Sequence, residues 1–148
     1  KIKLQNSVLK QKKREIKYGL DKKSTYFKFK KRIEKSKKKL ISIFRYCKSK
    51  NKKIIGYGAT AKSTTILNYC KIDNKVIDYF LDTTEDKQNK YTPGTKIKIK
   101  RYNGSISKDV DYVFLGAWNF KNEIFKKEKK YINSGGKFII HTPYPKII

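Results

Sequence analysis

The sequence has no methionine at all, two cysteines, three prolines and only twelve acidic residues in 148. Each shortage excludes something. Cys47 and Cys70 stand alone, outside any CxxC or Cys/His spacing, so neither a disulfide framework nor a zinc site can be read from them. No apolar run reaches the ~18 residues a membrane span needs, and Lys1 to Lys17 lacks the apolar core of a signal peptide. The expectation is a soluble, cytoplasmic protein that spans no membrane. The missing methionine, even at position 1, suggests a piece of something longer.

What is abundant is lysine. Thirty-nine basic residues against twelve acidic give a net charge of +27, yet 37% of the chain is hydrophobic and 14% aromatic, too much for a disordered polybasic tail. One folded unit is expected from this length. Residues 1–50 carry 20 basic and 3 acidic groups, residues 51–148 carry 19 and 9. A basic surface attracts any polyanion, but only Arg14, Arg32, Arg45 and Arg101 are arginines, amid plentiful Lys, Asn, Ile and Tyr. That composition reads as a solvated surface, and no helix-turn-helix or aromatic ribonucleoprotein motif accompanies it, so nucleic acid is not the expected partner.

Periodicity divides the chain into a helical segment, 1–50, packing on a main domain, 51–148. Tyr26, Phe29, Ile33, Leu40, Phe44 and Cys47 fall on one helical stripe with lysines opposite. Ser24 or Thr25 is the expected N-cap, and Gly19-Leu20-Asp21 breaks this helix from a shorter one over Val8 to Tyr18. Beyond residue 52 the pattern predicts strands at Lys53–Tyr57, Val76–Leu81, Val110–Leu115 and Lys137–His141, with helices over Ala61–Tyr69 and Phe120–Ile132. Strands apolar on both faces, separated by helices, imply a mostly parallel sheet between helix layers. Between Asp82 and Asn103 the Pro93-Gly94 turn and the alternating Lys96–Lys100 predict a loop with one edge or extra strand.

The sharpest motif is Gly56-Tyr57-Gly58-Ala59-Thr60-Ala61-Lys62, between the first strand and its helix. It matches G-x-G-x-x-A, in which glycines permit a tight turn and close approach to a phosphate at a helix N-terminus. Lys62 adds a cation. Asp82 ends the second strand, where an acid holds a ribose hydroxyl in dinucleotide-binding folds. The loop beyond it, with Lys87, Thr92 and Gly94, and the Gly116-Ala117-Trp118-Asn119 segment lie on the same ligand-binding side of the expected sheet. A plain structural turn is the alternative for the glycines, and core packing the alternative for the lone Trp. Conventional catalysts are missing: the only histidine is His141, and no nucleophile elbow, HExxH or Walker motif appears. A binding domain without catalytic residues is the expectation.

The runs IIGYGATAKSTTILNYCKI, VIDYFLDTTEDKQNKYTPGTKIKI, DYVFLGAWNFKNEI and YINSGGKFIIHTPYPKII, from about Ser7 to Ile148, together resemble the C-terminal domain of SAM-dependent C-methyltransferases acting on nucleotide-linked deoxy-keto-sugars. The resemblance implies a Rossmann-like α/β three-layer sandwich with a mostly parallel sheet, preceded by a helical segment. It implies upstream zinc and SAM domains, with SAM used by the full-length enzyme and no cofactor or metal bound by this chain. It also implies a nucleotide-sugar or related anionic small molecule as ligand, with binding roles for Tyr57, Lys62, Lys87, Thr92, Gly94, Trp118 and Asn119, beside Gly56, Gly58, Ala59 and Asp82 from the motif itself. Two positions depart from the pattern: Asn89 where Gly usually follows KQ, and Ser63 where Gly often follows the lysine. The competing readings are a stand-alone nucleotide or dinucleotide binder and a lysine-rich polyanion-binding protein.

Overall fold

A computed structural model describes residues 5–148, in two compact units divided between Lys35 and Ser36. The first four residues of the expected helical segment lie outside the described residues.

The first unit holds α1 (Asn6–Lys17) and the beginning of α2 (Lys23–Ser49). The turn between them is locked by side chains: the Thr25 hydroxyl donates to the Gly19 carbonyl at 2.7 Å and the Tyr26 hydroxyl to the Leu20 carbonyl at 2.6 Å. Because α2 already starts at Lys23, neither Ser24 nor Thr25 is its cap; Thr25 holds the turn instead. None of the residues of α1 is buried.

In the second unit the rest of α2 buries Leu40, Ile43, Phe44 and Cys47. Then follow β1 (Ile54–Tyr57), α3 (Ala61–Cys70), β2 (Tyr79–Asp82), β3 (Lys98–Arg101), β4 (Tyr112–Leu115), α4 (Lys121–Lys127), α5 (Lys129–Asn133), β5 (Lys137–Ile140) and β6 (Lys146–Ile147). They form one sheet in the order β3-β2-β1-β4-β5-β6, parallel except for β6, which runs antiparallel to β5. Side chains alternate across it. Ile54, Phe80, Phe114 and Ile139 pack with Leu40 and Phe44 of α2 and Leu67 of α3. Ile55, Leu81, Val113 and Phe138 pack with Ile124 and Tyr131 of α4 and α5. The result is the three-layer, Rossmann-like α/β sandwich that the strand pattern and the resemblance both imply.

Four differences from the periodicity have local causes. Asp73 accepts the backbone N–H groups of Lys75, Val76 and Ile77, so the apolar Val76-Ile77 pair belongs to a turn and β2 starts only at Tyr79. The predicted helix over Phe120–Ile132 begins as a single 3-10 turn, Trp118–Phe120, and is broken at Glu128, whose carboxylate is turned inward onto Tyr102. The closing strand stops at Ile140, one residue short of His141. Finally, β6 was not foreseen: two residues after a Pro-Tyr-Pro run carry no readable alternation. The edge strand anticipated near Lys96–Lys100 is β3, with Ile97 and Ile99 buried and Lys98 and Lys100 outside.

Candidate functional site

The order of strands places a reversal beside β1: the chain goes out to β2 and β3 on one side, then returns to β4 on the other. Open α/β sheets bind ligands at the carboxyl ends of the strands around such a reversal. Here those ends carry the glycine crook after β1, Asp82 after β2 and Gly116-Ala117-Trp118 after β4.

The crook is built as the motif predicts, but its hydrogen bonds stay inside the chain. Gly58 has φ +80°, and a Cβ there would stand 2.5 Å from the Ala117 Cβ, so only glycine permits β1 and β4 to continue this closely. Gly58 N–H donates to the Leu81 carbonyl at 2.8 Å, and Ala59 N–H donates to Asp82 Oδ2 at 2.8 Å. The second carboxylate oxygen, Oδ1, accepts Thr84 N–H at 2.8 Å, and the Lys87 ammonium stands 3.5 Å from Oδ2. The anion at the crook is thus the protein's own buried Asp82 carboxylate. Both oxygens accept backbone N–H groups of the chain itself, so Asp82 serves first to tie the crook to the loop after β2.

The helix end beyond is equally self-contained. Thr60 caps α3 by accepting Ser63 N–H at 3.1 Å, while Ser63 Oγ accepts Thr60 N–H at 3.0 Å, a reciprocal capping box. Ser63, the departure from the family's glycine, is therefore fully used. Asn89, the other departure, has φ +61°, the left-handed region that glycine favours and asparagine tolerates, so the loop keeps a glycine-like backbone.

The remaining sequence-predicted residues separate into three places. Thr92 and Gly94 belong to a turn fastened to α3: buried Thr92 and Thr95 hydroxyls meet at 2.6 Å, Thr92 Oγ1 accepts Ile97 N–H at 2.9 Å, and Asn68 Nδ2 donates to the Pro93 carbonyl at 3.0 Å. Lys62 and half-buried Trp118 meet each other, the ammonium 5.4 Å from the ring centroid, and Asn119 beside them is exposed. Gly56 is internal, because a Cβ there would lie 2.3 Å from the Phe80 ring.

Tyr57, Gly58, Asp82 and Lys87 come together on a cleft of about 360 Å³, which the crook borders through Tyr57, Gly58 and Thr60. Its other walls include Thr84, Ala117, Phe120 and Glu123, which lie within the quoted runs, and Tyr102 and Lys127, which no motif singles out. Beneath the cleft, Tyr102 donates its hydroxyl to Glu128 Oε1 at 2.5 Å, Glu128 Oε2 accepts Ile106 N–H at 3.3 Å, and the Tyr57 and Tyr102 rings lie 5.3 Å apart. The Lys127 ammonium sits 4.2 Å from the Tyr102 ring centroid. Burial, reinforced by the Glu128 charge, pushes the Tyr57 phenol up to about 12. Burial and the hydrogen bond to Glu128 likewise raise Tyr102. Both phenols are held protonated at neutral pH, and Tyr102 gives its one O–H to Glu128. Of this network the motifs single out only Tyr57; Tyr102 and Glu128 carry no motif.

His141 is buried and stacked on Phe114 at 5.5 Å; its Nδ1 lies 2.8 Å from Thr142 Oγ1, and its Nε2 has no partner. Burial pushes its pKa down to about 4, so it is neutral and stands outside the cleft. Among the described residues no three His, Cys, Asp or Glu side chains form a group able to hold a metal, and no helix is long and apolar enough to cross a membrane.

With this geometry in view, two comparisons are informative. The family described as C-methyltransferase C-terminal domain matches residues 1–143. A C-methyltransferase of Streptomyces niveus, NovU, is 37% identical over 97 residues, covering 66% of this chain and 23% of that protein. The matched stretch is therefore under a quarter of the relative's length.

Proposed function

The chain belongs to the C-methyltransferase C-terminal domain family, and on that premise we propose that it is the substrate-side domain of a SAM-dependent C-methyltransferase acting on a nucleotide-linked deoxy-keto-sugar. The methyl group would come from SAM held by another domain, and none of the residues here is assigned to catalysis. The supporting observation is the cleft at the carboxyl ends of β1, β2 and β4, where two ammonium groups, Lys87 and Lys127, and two carboxylates, Asp82 and Glu123, surround two protonated tyrosines and exposed Phe120. That set suits an anionic ligand with a flat ring: ammonium groups for the phosphates and an aromatic edge for stacking. Lys62, Trp118 and Asn119 form the adjoining wall.

Titration calorimetry of the purified chain at moderate salt, with a dTDP-linked deoxy-keto-sugar, NAD, SAM and a random oligonucleotide, tests the proposal. Saturable binding of the sugar nucleotide is expected. Tight NAD binding without a sugar-nucleotide response would overturn it in favour of a dinucleotide module. Oligonucleotide binding that collapses with salt would instead identify a polyanion-binding surface.

A further inference from the structure

One helical stripe on α2 has two different environments. By the helical repeat, Tyr26, Phe29 and Ile33 fall on the same face as Leu40, Phe44 and Cys47. Yet Leu40 and Phe44 are 2% exposed and Cys47 0%, whereas Tyr26 is 56%, Phe29 53% and Ile33 37% exposed. In α1, Val8, Leu9 and Ile16 repeat the pattern, apolar on one face and exposed. A polar, solvated role would not put aromatic and aliphatic side chains at core spacing in a stretch rich in lysine.

We infer that the apolar faces of α1 and the first half of α2 are a docking surface for another protein domain, apolar at its centre and acidic at its rim, in a methyltransferase assembly. The inference rests on the assignment to such an assembly but not on what the cleft binds. Charge selects the occupant. The residues through Lys35 include 14 basic and 3 acidic groups, so a second copy would bring the same positive rim against itself, whereas a carboxylate-bordered groove is complementary. The family match starts at residue 1 and takes in both helices, which places them in the family's domain architecture rather than in an added membrane anchor. The S. niveus relative carries more than three quarters of its length outside the matched stretch, ample protein to supply such a groove.

The test is site-specific photocrosslinking of the full chain in the cells that produce it, with p-benzoylphenylalanine at position 29 and, as control, at position 31 on the opposite face of α2. Mass spectrometry of the adducts should identify a peptide from a SAM-dependent methyltransferase domain, on the same polypeptide or a separate one, at least tenfold above the control. Placing the crosslinker at 33 and adding Phe29→Asp should abolish the adduct. Equal yields at 29 and 31, adducts only with a second copy of this chain, with lipid, or with a protein that is not a methyltransferase would each overturn the inference. Sugar-nucleotide titration of the Phe29→Asp chain separates the two readings. In that chain retained binding with the adduct lost is the expected pair; in the unsubstituted chain, binding with no adduct sinks the docking surface alone, and an adduct without binding sinks the cleft alone.

Discussion

The two ends of α2 carry the same sequence pattern and have opposite fates. From Leu40 onward the apolar stripe is sealed against Phe114, Ile54 and Leu67; up to Ile33 it is bare. Periodicity shows that a face is made to be covered, but not what covers it. The cover for the later half lies in strands that are themselves legible, and for the earlier half the described residues provide none that buries it. The sharpest way to break the comparison is to remove one aromatic from the covered half. Phe44→Ala takes away a buried ring 5.7 Å from Phe114 and leaves a cavity, so urea unfolding should show a loss of about 3–5 kcal/mol. A loss under ~1 kcal/mol would mean that this half is no better covered than the other.

A second way to probe the sealed unit is through the group that it buries with an unpartnered nitrogen. The unfolded His141 imidazole takes up a proton below its usual pKa of 6.5, whereas in the fold it stays neutral until about 4. Its contribution to stability is therefore intact above pH 6.5, erodes as the pH falls through that window, and is gone near pH 4. The loss is on the order of 3 kcal/mol over the interval, since each unit of pKa shift corresponds to about 1.4 kcal/mol. Unfolding free energies measured from pH 7 to 4 should fall more steeply for the unsubstituted chain than for His141→Phe, which keeps a ring against Phe114 without a titrating group. Parallel curves would refute the burial of a neutral imidazole.

Much of this unit could be read from residues alone. The strand cores, the parallel order of the sheet and the form of the crook follow from apolar runs and from glycines at fixed offsets, because those signals are local. The contents of the crook were not legible. Asp82 sits where an acid grips ribose in dinucleotide-binding folds, yet it reaches back to the Ala59 and Thr84 amides, and only the three-dimensional path of the loop decides between these uses. The Tyr57–Tyr102–Glu128 cluster was invisible for the same reason, since its members come from three elements far apart in sequence. Thr92 and Gly94 gave a true turn signal, and their fastening to α3 through Asn68 is a tertiary fact.

That difference between a self-filled crook and an open cleft gives the next pair of tests. Asp82→Ala leaves two backbone N–H groups without their acceptor and should cost about 1–3 kcal/mol of stability. The two vacated amides, of Ala59 and Thr84, should then accept an external anion, so inorganic phosphate should raise the Tm of Asp82→Ala more than that of the unsubstituted chain. An equal phosphate response in both would show that the carboxylate was not the crook's anion. In the cleft, Lys87→Ala should weaken sugar-nucleotide binding by about 1–3 kcal/mol if its ammonium meets a phosphate. Lys62→Ala, which removes a cation already seated over Trp118, should weaken it less. The reverse ranking in calorimetry would move the phosphate to the Lys62 side of Trp118.

The smallest effect belongs to the bare half of α2, and its smallness is the point. Phe29 is 53% exposed and the Arg32 guanidinium lies 5.8 Å from its ring centroid, an exposed cation–π contact of the weakest kind. Phe29→Ala should therefore change the unfolding free energy of the isolated chain by no more than ~0.5 kcal/mol, as exposed substitutions generally do. Set beside Phe44→Ala, this measures what covering the stripe contributes, because the two residues share a helix and a ring and differ in their surroundings. If Phe29→Ala proved as costly as Phe44→Ala in the chain by itself, the earlier half of the stripe would already be buried in solution. In the presence of a docked partner the two costs should converge, since truncating an aromatic in a desolvated interface is as expensive as truncating one in a core.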